Sequence, residues 1–150
     1  LSTEHGPMGG DEINLIKRNA NYGWKVASYG EPYKNFNIDN EFILKKDHNS
    51  LDFHEPIYAY VPAIGISEII NVTRDFSPKW DENFLITSLN GRSIYRVKFD
   101  KDYNKIITQE KIFIGERIRD ITSSIDGKIF FLALEDTGSI ATISRKNFNN

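Results

Sequence analysis

Along most of the chain, short apolar runs rich in Ile, Val, Phe, Tyr and Thr alternate with turn-forming clusters. Almost no stretch repeats its apolar positions at three- and four-residue spacing, as a helix would require. Strand side chains point to opposite faces in turn, so this pattern specifies strands. It predicts strands over Glu12–Lys17, Trp24–Ser28, Ile57–Val61, Glu68–Val72, Asn83–Leu89, Ser93–Phe99, Lys105–Ile114, Arg119–Ser123, Lys128–Leu134 and Ser139–Ser144. Asp126-Gly127 and Asn90-Gly91 mark tight turns, because such residues accept positive φ. Residues from about 30 to 52 are rich in Asn, Asp and Lys and lack clean alternation. They read as a long surface excursion from a single domain.

An internal repeat sharpens the fold. Phe84-Leu85-Ile86-Thr87, continuing through Asn90, Ser93-Ile94 and Val97, aligns without gaps on Phe130-Phe131-Leu132-Ala133 through Asp136, Ser139-Ile140 and Ile143, an offset of 46 residues. Each copy is a strand, a polar Gly-containing turn, and Ser-Ile opening a second strand. A period in the forties with several short strands per unit is the signature of β-propeller blades. Two similar hairpins in a sandwich are the alternative on the repeat alone. At this spacing 150 residues make about three blades of four-stranded antiparallel sheet. A closed propeller typically takes four to eight blades.

Composition narrows the function. A net charge of -2, from 19 Lys+Arg against 21 Asp+Glu, is dispersed along the chain. Without a basic stripe, nucleic acid is not an expected partner. Hydrophobic content of 39% with 13% aromatics excludes a disordered polyelectrolyte. No apolar run is long enough to span a bilayer. The absence of cysteine removes disulfides, thiol nucleophiles and Cys-type zinc sites. No G-x-S-x-G nucleophile elbow occurs. Asp47, His48, Asp52, His54 and Glu55 match no zinc spacing and read as a solvated loop. Tyr22, Trp24, Tyr29 and Tyr33 are expected mostly to pack between blades.

The opening stretch, Glu4-His5-Gly6-Pro7-Met8-Gly9-Gly10-Asp11-Glu12, offers chemistry of its own. Glycine lets a backbone approach a ligand closely, and bare carbonyls with Asp11 and Glu12 are hard ligands suited to Ca²⁺. A plain Gly-rich turn capping a strand is the simpler alternative at this level.

That stretch, with Asn21-Tyr22-Gly23-Trp24 and Tyr29-Gly30, resembles the soluble quinoprotein aldose sugar dehydrogenases of the glucose/sorbosone dehydrogenase family. Arg117-Ile118-Arg119-Asp120 followed by Ser123 to Lys128 resembles a second motif of that family. The resemblance implies a six-bladed propeller using pyrroloquinoline quinone (PQQ) and Ca²⁺. On the matching positions, Gly6 and Pro7 would offer carbonyls to the Ca²⁺ beside the quinone. Glu12 and the backbone of Tyr22 would serve a second Ca²⁺. His5 and Tyr33 would contact cofactor, and Arg117 and Arg119 would clamp its carboxylates, work suited to a planar guanidinium. Asp11 would lie in the substrate pocket.

The implied reaction is oxidation of an aldose C1 hydroxyl to a lactone. The family's histidine base and its Arg-Asn pair have no match in this chain, so no catalytic residue is assigned and the chain alone is expected to be inactive. The resemblance further implies the C-terminal part of one propeller, completed by a missing N-terminal half or by a second copy of the chain, in a periplasmic or secreted location. Asn90 stands where the family often has a cation, with Arg92 two positions on. Ala63 stands where it has a hydroxyl, and Met8 where a polar residue is common. Asn90 and Ala63 favour an alternative, a non-catalytic ligand- or protein-binding propeller.

Overall fold

The computed structural model describes residues 1–33 and 46–146. Ten strands run in chain order: β1 (Ser2–Glu4), β2 (Asp11–Asn14), β3 (Tyr58–Tyr60), β4 (Ile66–Asn71), β5 (Phe84–Ser88), β6 (Ser93–Phe99), β7 (Ile106–Phe113), β8 (Ile118–Ser123), β9 (Ile129–Leu134) and β10 (Ser139–Ser144). One 3₁₀ turn, Asn49–Leu51, is the only helical element among the described residues. The strands form three antiparallel sheets ordered β1-β2-β3, β4-β5-β6-β7 and β8-β9-β10. Among the described residues only the middle sheet has four strands.

The register carries the sequence repeat into three dimensions. Phe84 pairs with Val97 and Thr87 with Ile94 across β5–β6. Phe130 pairs with Ile143 and Ala133 with Ile140 across β9–β10, the same pairs 46 residues on. The second and third sheets are therefore successive copies of one unit, in keeping with blades of a propeller.

Two apolar cores lie between the sheets. Ile13 and Tyr60 of the first sheet meet Ile66, Ile86, Tyr95, Val97 and Phe99 of the second. On its other face the second sheet sends Leu85 and Ile94 against Ile118, Ile121, Phe130 and Leu132 of the third. Leu85 and Ile86 are 1% and 0% exposed, so β5 is buried on both faces. That is why it reads as a continuous apolar run instead of an alternation. Burying each such side chain contributes about 1.5–3 kcal/mol.

β1, β4 and β8 are stitched side by side by polar groups. Thr3 Oγ1 donates to Ser67 O at 2.8 Å, and Ser67 Oγ donates to Ile118 O at 2.7 Å. This seam fixes the first strand of each sheet next to its neighbour, and clefts open along it.

Two expectations are corrected. Trp24–Ser28 is a turn and not a strand: the N–H groups of Val26 and Ala27 both donate to Gly23 O, at 2.6 and 2.8 Å. Its Trp24 and Val26 face solvent. In the β5–β6 turn the left-handed residue is Arg92, φ 47°, rather than Asn90 or Gly91. Asp126-Gly127 does form a tight turn, with Gly127 at φ 69°. Positions 34–45 of the expected excursion lie outside the described residues.

Candidate functional site

Three clefts meet at His5. The largest, about 800 Å³, is lined by His5, Gly65, Ile66, Ser67, Glu68, Leu89, Asn90, Arg117, Arg119 and Asp120. A second, about 470 Å³, adds Pro7, Met8, Tyr33 and Ala63. A third, about 250 Å³, lies against Glu4, Gly6, Gly10, Glu12, Tyr22 and Trp24. The expected cofactor residues His5, Arg117 and Arg119 therefore share one cleft, with Tyr33 in the next. The expected metal residues Gly6, Glu12 and Tyr22 share the third, and Pro7 borders the second.

The loop from His5 to Gly10 is held by close backbone packing. Gly10 has φ 72°, and a Cβ there would fall on the backbone of Gly30. Gly30 in turn leaves no room for a Cβ against Gly9 and Pro7. The glycines thus serve contact between two chain segments as well as the bare carbonyls expected of them. Met8 and Glu31 exchange backbone hydrogen bonds at 3.0 and 2.9 Å across the same contact.

Asp11, expected in the substrate pocket, is fully buried and lines none of these three clefts. Its Oδ1 accepts from Gly6 N and its Oδ2 from Ile66 N, both at 2.9 Å. The carboxylate anchors the loop to β4 and so positions His5, whose Nδ1 lies 3.0 Å from Ile66 O.

Acidic chemistry gathers under the loop. Glu4 and Glu12 are direct partners in the β1–β2 register, which places both side chains on one face. Asn14 Nδ2 donates to Glu4 Oε1 at 2.9 Å and to Glu12 Oε2 at 3.4 Å, while its buried Oδ1 has no hydrogen-bond partner. Glu12 is 7% exposed. Burial pushes its pKa up to about 7, aided by the carboxylates of Glu4 and Glu55, although the Asn14 hydrogen bond works the other way.

His48 contradicts the solvated-loop expectation. It is fully buried, with Nε2 3.9 Å from Glu12 Oε1 and Nδ1 3.6 Å from Glu55 Oε2. Neither ring nitrogen makes a hydrogen bond. The ring stacks on Tyr29 at 5.2 Å, and Tyr29 Oη donates to Glu55 at 2.6 Å. Burial, and then Glu55, raise the Tyr29 phenol to about 12. The four aromatics expected between blades lie instead around these clefts and turns. Tyr22 Oη bridges Leu15 O and Lys17 N at 2.7 and 2.8 Å, and Trp24 and Tyr33 are exposed.

Arg117 and Arg119 do face one side, as strand alternation requires. Both donate to Glu135, Arg117 Nε at 3.0 Å. Arg92 does not line the clefts; it bonds Asp136 at 2.6 Å and Gly115 O at 2.9 Å. Glu4 and Glu135 carried no signal singled out in the sequence, and His48 and Glu55 were set aside there as a solvated loop. A short strand before the glycine loop would have pointed to Glu4 opposite Glu12.

Antiparallel sheets of this kind, with paired arginines and an acidic pocket along their first strands, are blades of a propeller. The chain belongs to the Glucose / Sorbosone dehydrogenase family, whose model it matches over residues 1–142. It is 29% identical over 146 residues to aldose sugar dehydrogenase YliI of Escherichia coli, covering 96% of this chain and 38% of that protein. It is 23% identical over 188 aligned positions to quinoprotein glucose dehydrogenase B of Acinetobacter calcoaceticus, covering 93% and 39%. A solved glucose dehydrogenase superposes with a TM-score of 0.79 at 26% identity, over 97% of this chain and 40% of that one. The chain thus spans under two fifths of these curated relatives' length.

Proposed function

We propose that this chain forms the C-terminal part of a six-bladed PQQ- and Ca²⁺-dependent aldose dehydrogenase and carries one wall of its cofactor site. The observation that carries the reading is Arg117 and Arg119 side by side on a cleft of about 800 Å³ that also contains His5. Two guanidiniums on one wall suit a flat polycarboxylate. The relatives' names, aldose sugar dehydrogenase and quinoprotein glucose dehydrogenase, support the substrate class and the cofactor.

The acidic pocket suits Ca²⁺. Glu4 and Glu12 face each other, Asn14 Oδ1 is buried without a partner, and Tyr22 and Gly6 border the same space. Among the described residues no three His, Cys, Asp or Glu side chains converge tightly enough to hold a cation by themselves. Backbone carbonyls, those of Gly6, Pro7 and Tyr22, therefore complete the shells, as oxygen-rich Ca²⁺ coordination allows. When bound, PQQ would supply the acceptor for the hydride, and with it the two electrons, lost from the sugar C1 as the lactone forms, with Ca²⁺ as Lewis acid.

The chain's own residues bind and orient. Arg117 and Arg119 hold carboxylates, His5 and Tyr33 border the ring, and Asp11 keeps the His5–Gly10 loop against β4. The proton-abstracting base comes from the remainder of the propeller, or from whatever completes it, including a second copy of the chain. The fragment alone binds without turning over. By the same resemblance the protein works in the periplasm or outside the cell. No helix among the described residues is long and apolar enough to cross a membrane.

A second reading, a recognition propeller without redox chemistry, is favoured by Asn90 and Ala63 at the clefts and by Glu135 on both arginines. Adding micromolar PQQ with Ca²⁺ and following the quinone absorbance separates the two. A saturable spectral change supports the cofactor site, and an unchanged spectrum supports recognition.

A further inference from the structure

Arg117 lies one residue before β8 and Arg119 within it. The chain leaves the neighbouring strand β9 at Glu135, whose N–H donates to Arg117 O at 2.8 Å. That register sets a single carboxylate against both guanidiniums. Arg117 Nε donates to Oε1 at 3.0 Å, and Arg119 Nη2 donates to Oε2. Each oxygen takes one arginine, which is how a ligand carboxylate would be held there.

The rest of the cleft offers no compensation. Among the described residues its lining contains no Lys or Arg besides these two, while Glu68 and Asp120 add negative charge. Arg92, the nearby third arginine, is spent on Asp136 and Gly115 O. The Glu135 side chain is 35% exposed and sits at a strand end, so it can swing away without disturbing either core.

The geometry points to Glu135 as an internal competitor for the anion position: it holds Arg117 and Arg119 in place of a ligand carboxylate, and an anionic ligand enters by displacing it. This inference rests on reading the two arginines as ligand-binding groups. Glu135 then sets how tightly the cleft takes anions. A purely structural ion pair at this exposure would change stability slightly and leave ligand affinity alone.

Calorimetric titration of the full chain tests it with two probes, PQQ and the plain aromatic dicarboxylate phthalate, on wild type, E135Q, E135A, and E135Q combined with R117Q/R119Q. Thermal melts confirm that each variant is folded. Phthalate binding is expected to tighten about tenfold in E135Q and E135A, the scale of two released surface charge pairs. The gain should vanish when the arginines are also replaced, and it should shrink as salt rises. Phthalate affinity equal to or weaker than wild type in both Glu135 variants overturns the inference. If phthalate tightens but PQQ binds none of the proteins, the role of Glu135 stands and the quinone reading fails.

Discussion

Glu12 carries a titration that should be visible in stability. Its carboxyl is 7% exposed, faces Glu4 across β1–β2, and is pushed up to about 7 from an ordinary 4.5. A carboxyl raised in the folded state is favoured by protonation. Its contribution is fully present below 4.5 and is lost as pH rises through 7. At 1.36 kcal/mol per pH unit, that displacement corresponds to roughly 3 kcal/mol between pH 4.5 and 8. Glu12→Gln removes the charge while keeping the shape and the reach to Asn14. With EDTA present, E12Q should match wild type near pH 5 and exceed it by about 2–3 kcal/mol at pH 8, read from urea midpoints. For a chain of this size that is roughly 5–10 °C in Tm. Ca²⁺ should close the gap by restoring wild type at pH 8 and leaving E12Q unchanged. A wild-type chain whose stability at pH 8 equals that of E12Q without Ca²⁺ would refute the argument, because the buried charge would then cost nothing.

Other consequences follow from the same contacts. Asp11→Ala strands the N–H groups of Gly6 and Ile66 and should cost about 3–5 kcal/mol in urea unfolding, whereas a loss under 1 kcal/mol would show that the anchor is dispensable. Phe130→Ala opens the core between the second and third sheets, where its ring lies 4.8 Å from that of Phe76. A loss of about 3–5 kcal/mol is expected, and a near-neutral change would mean that the two sheets do not share that core. Gly10→Ala forces a side chain into the Gly30 backbone at positive φ. It should weaken Ca²⁺ binding and lower Tm together, and an unperturbed variant would count against the packed loop.

Much of the architecture was legible because local pattern and tertiary burial agree. The Ser93–Phe99 and Ser139–Ser144 strands have the predicted bounds, and the 46-residue repeat reappears as identical pairing in two sheets. β1 escaped because Ser2–Glu4 carries no apolar residue; its pairing with β2 comes from the glycine loop between them. Trp24–Ser28 misled because its apolar residues face solvent over a turn closed on Gly23.

At the site, strand alternation foretold that Arg117 and Arg119 share a face, while their role and those of Glu12 and Tyr22 came from the family resemblance alone. Burial of His48 was not legible, since a polar segment gives no sign that Tyr29, Glu12 and Glu55 close over one of its residues. Nor was Glu135 on both arginines, which depends on the β8–β9 register. Asp11 was placed at the sugar by the family resemblance, on its position in the opening motif. The structure instead gives its oxygens to two backbone amides.

In this reading the arginine wall, His5 and the Gly6–Pro7 carbonyls form parts of one cofactor site. Calorimetric titration with PQQ, in Ca²⁺ and again in EDTA, tests it on wild type and on R117Q/R119Q. Saturable binding to wild type that weakens without Ca²⁺ and is lost in the double variant is expected. No binding to wild type in Ca²⁺, or equal binding by the double variant, would contradict it.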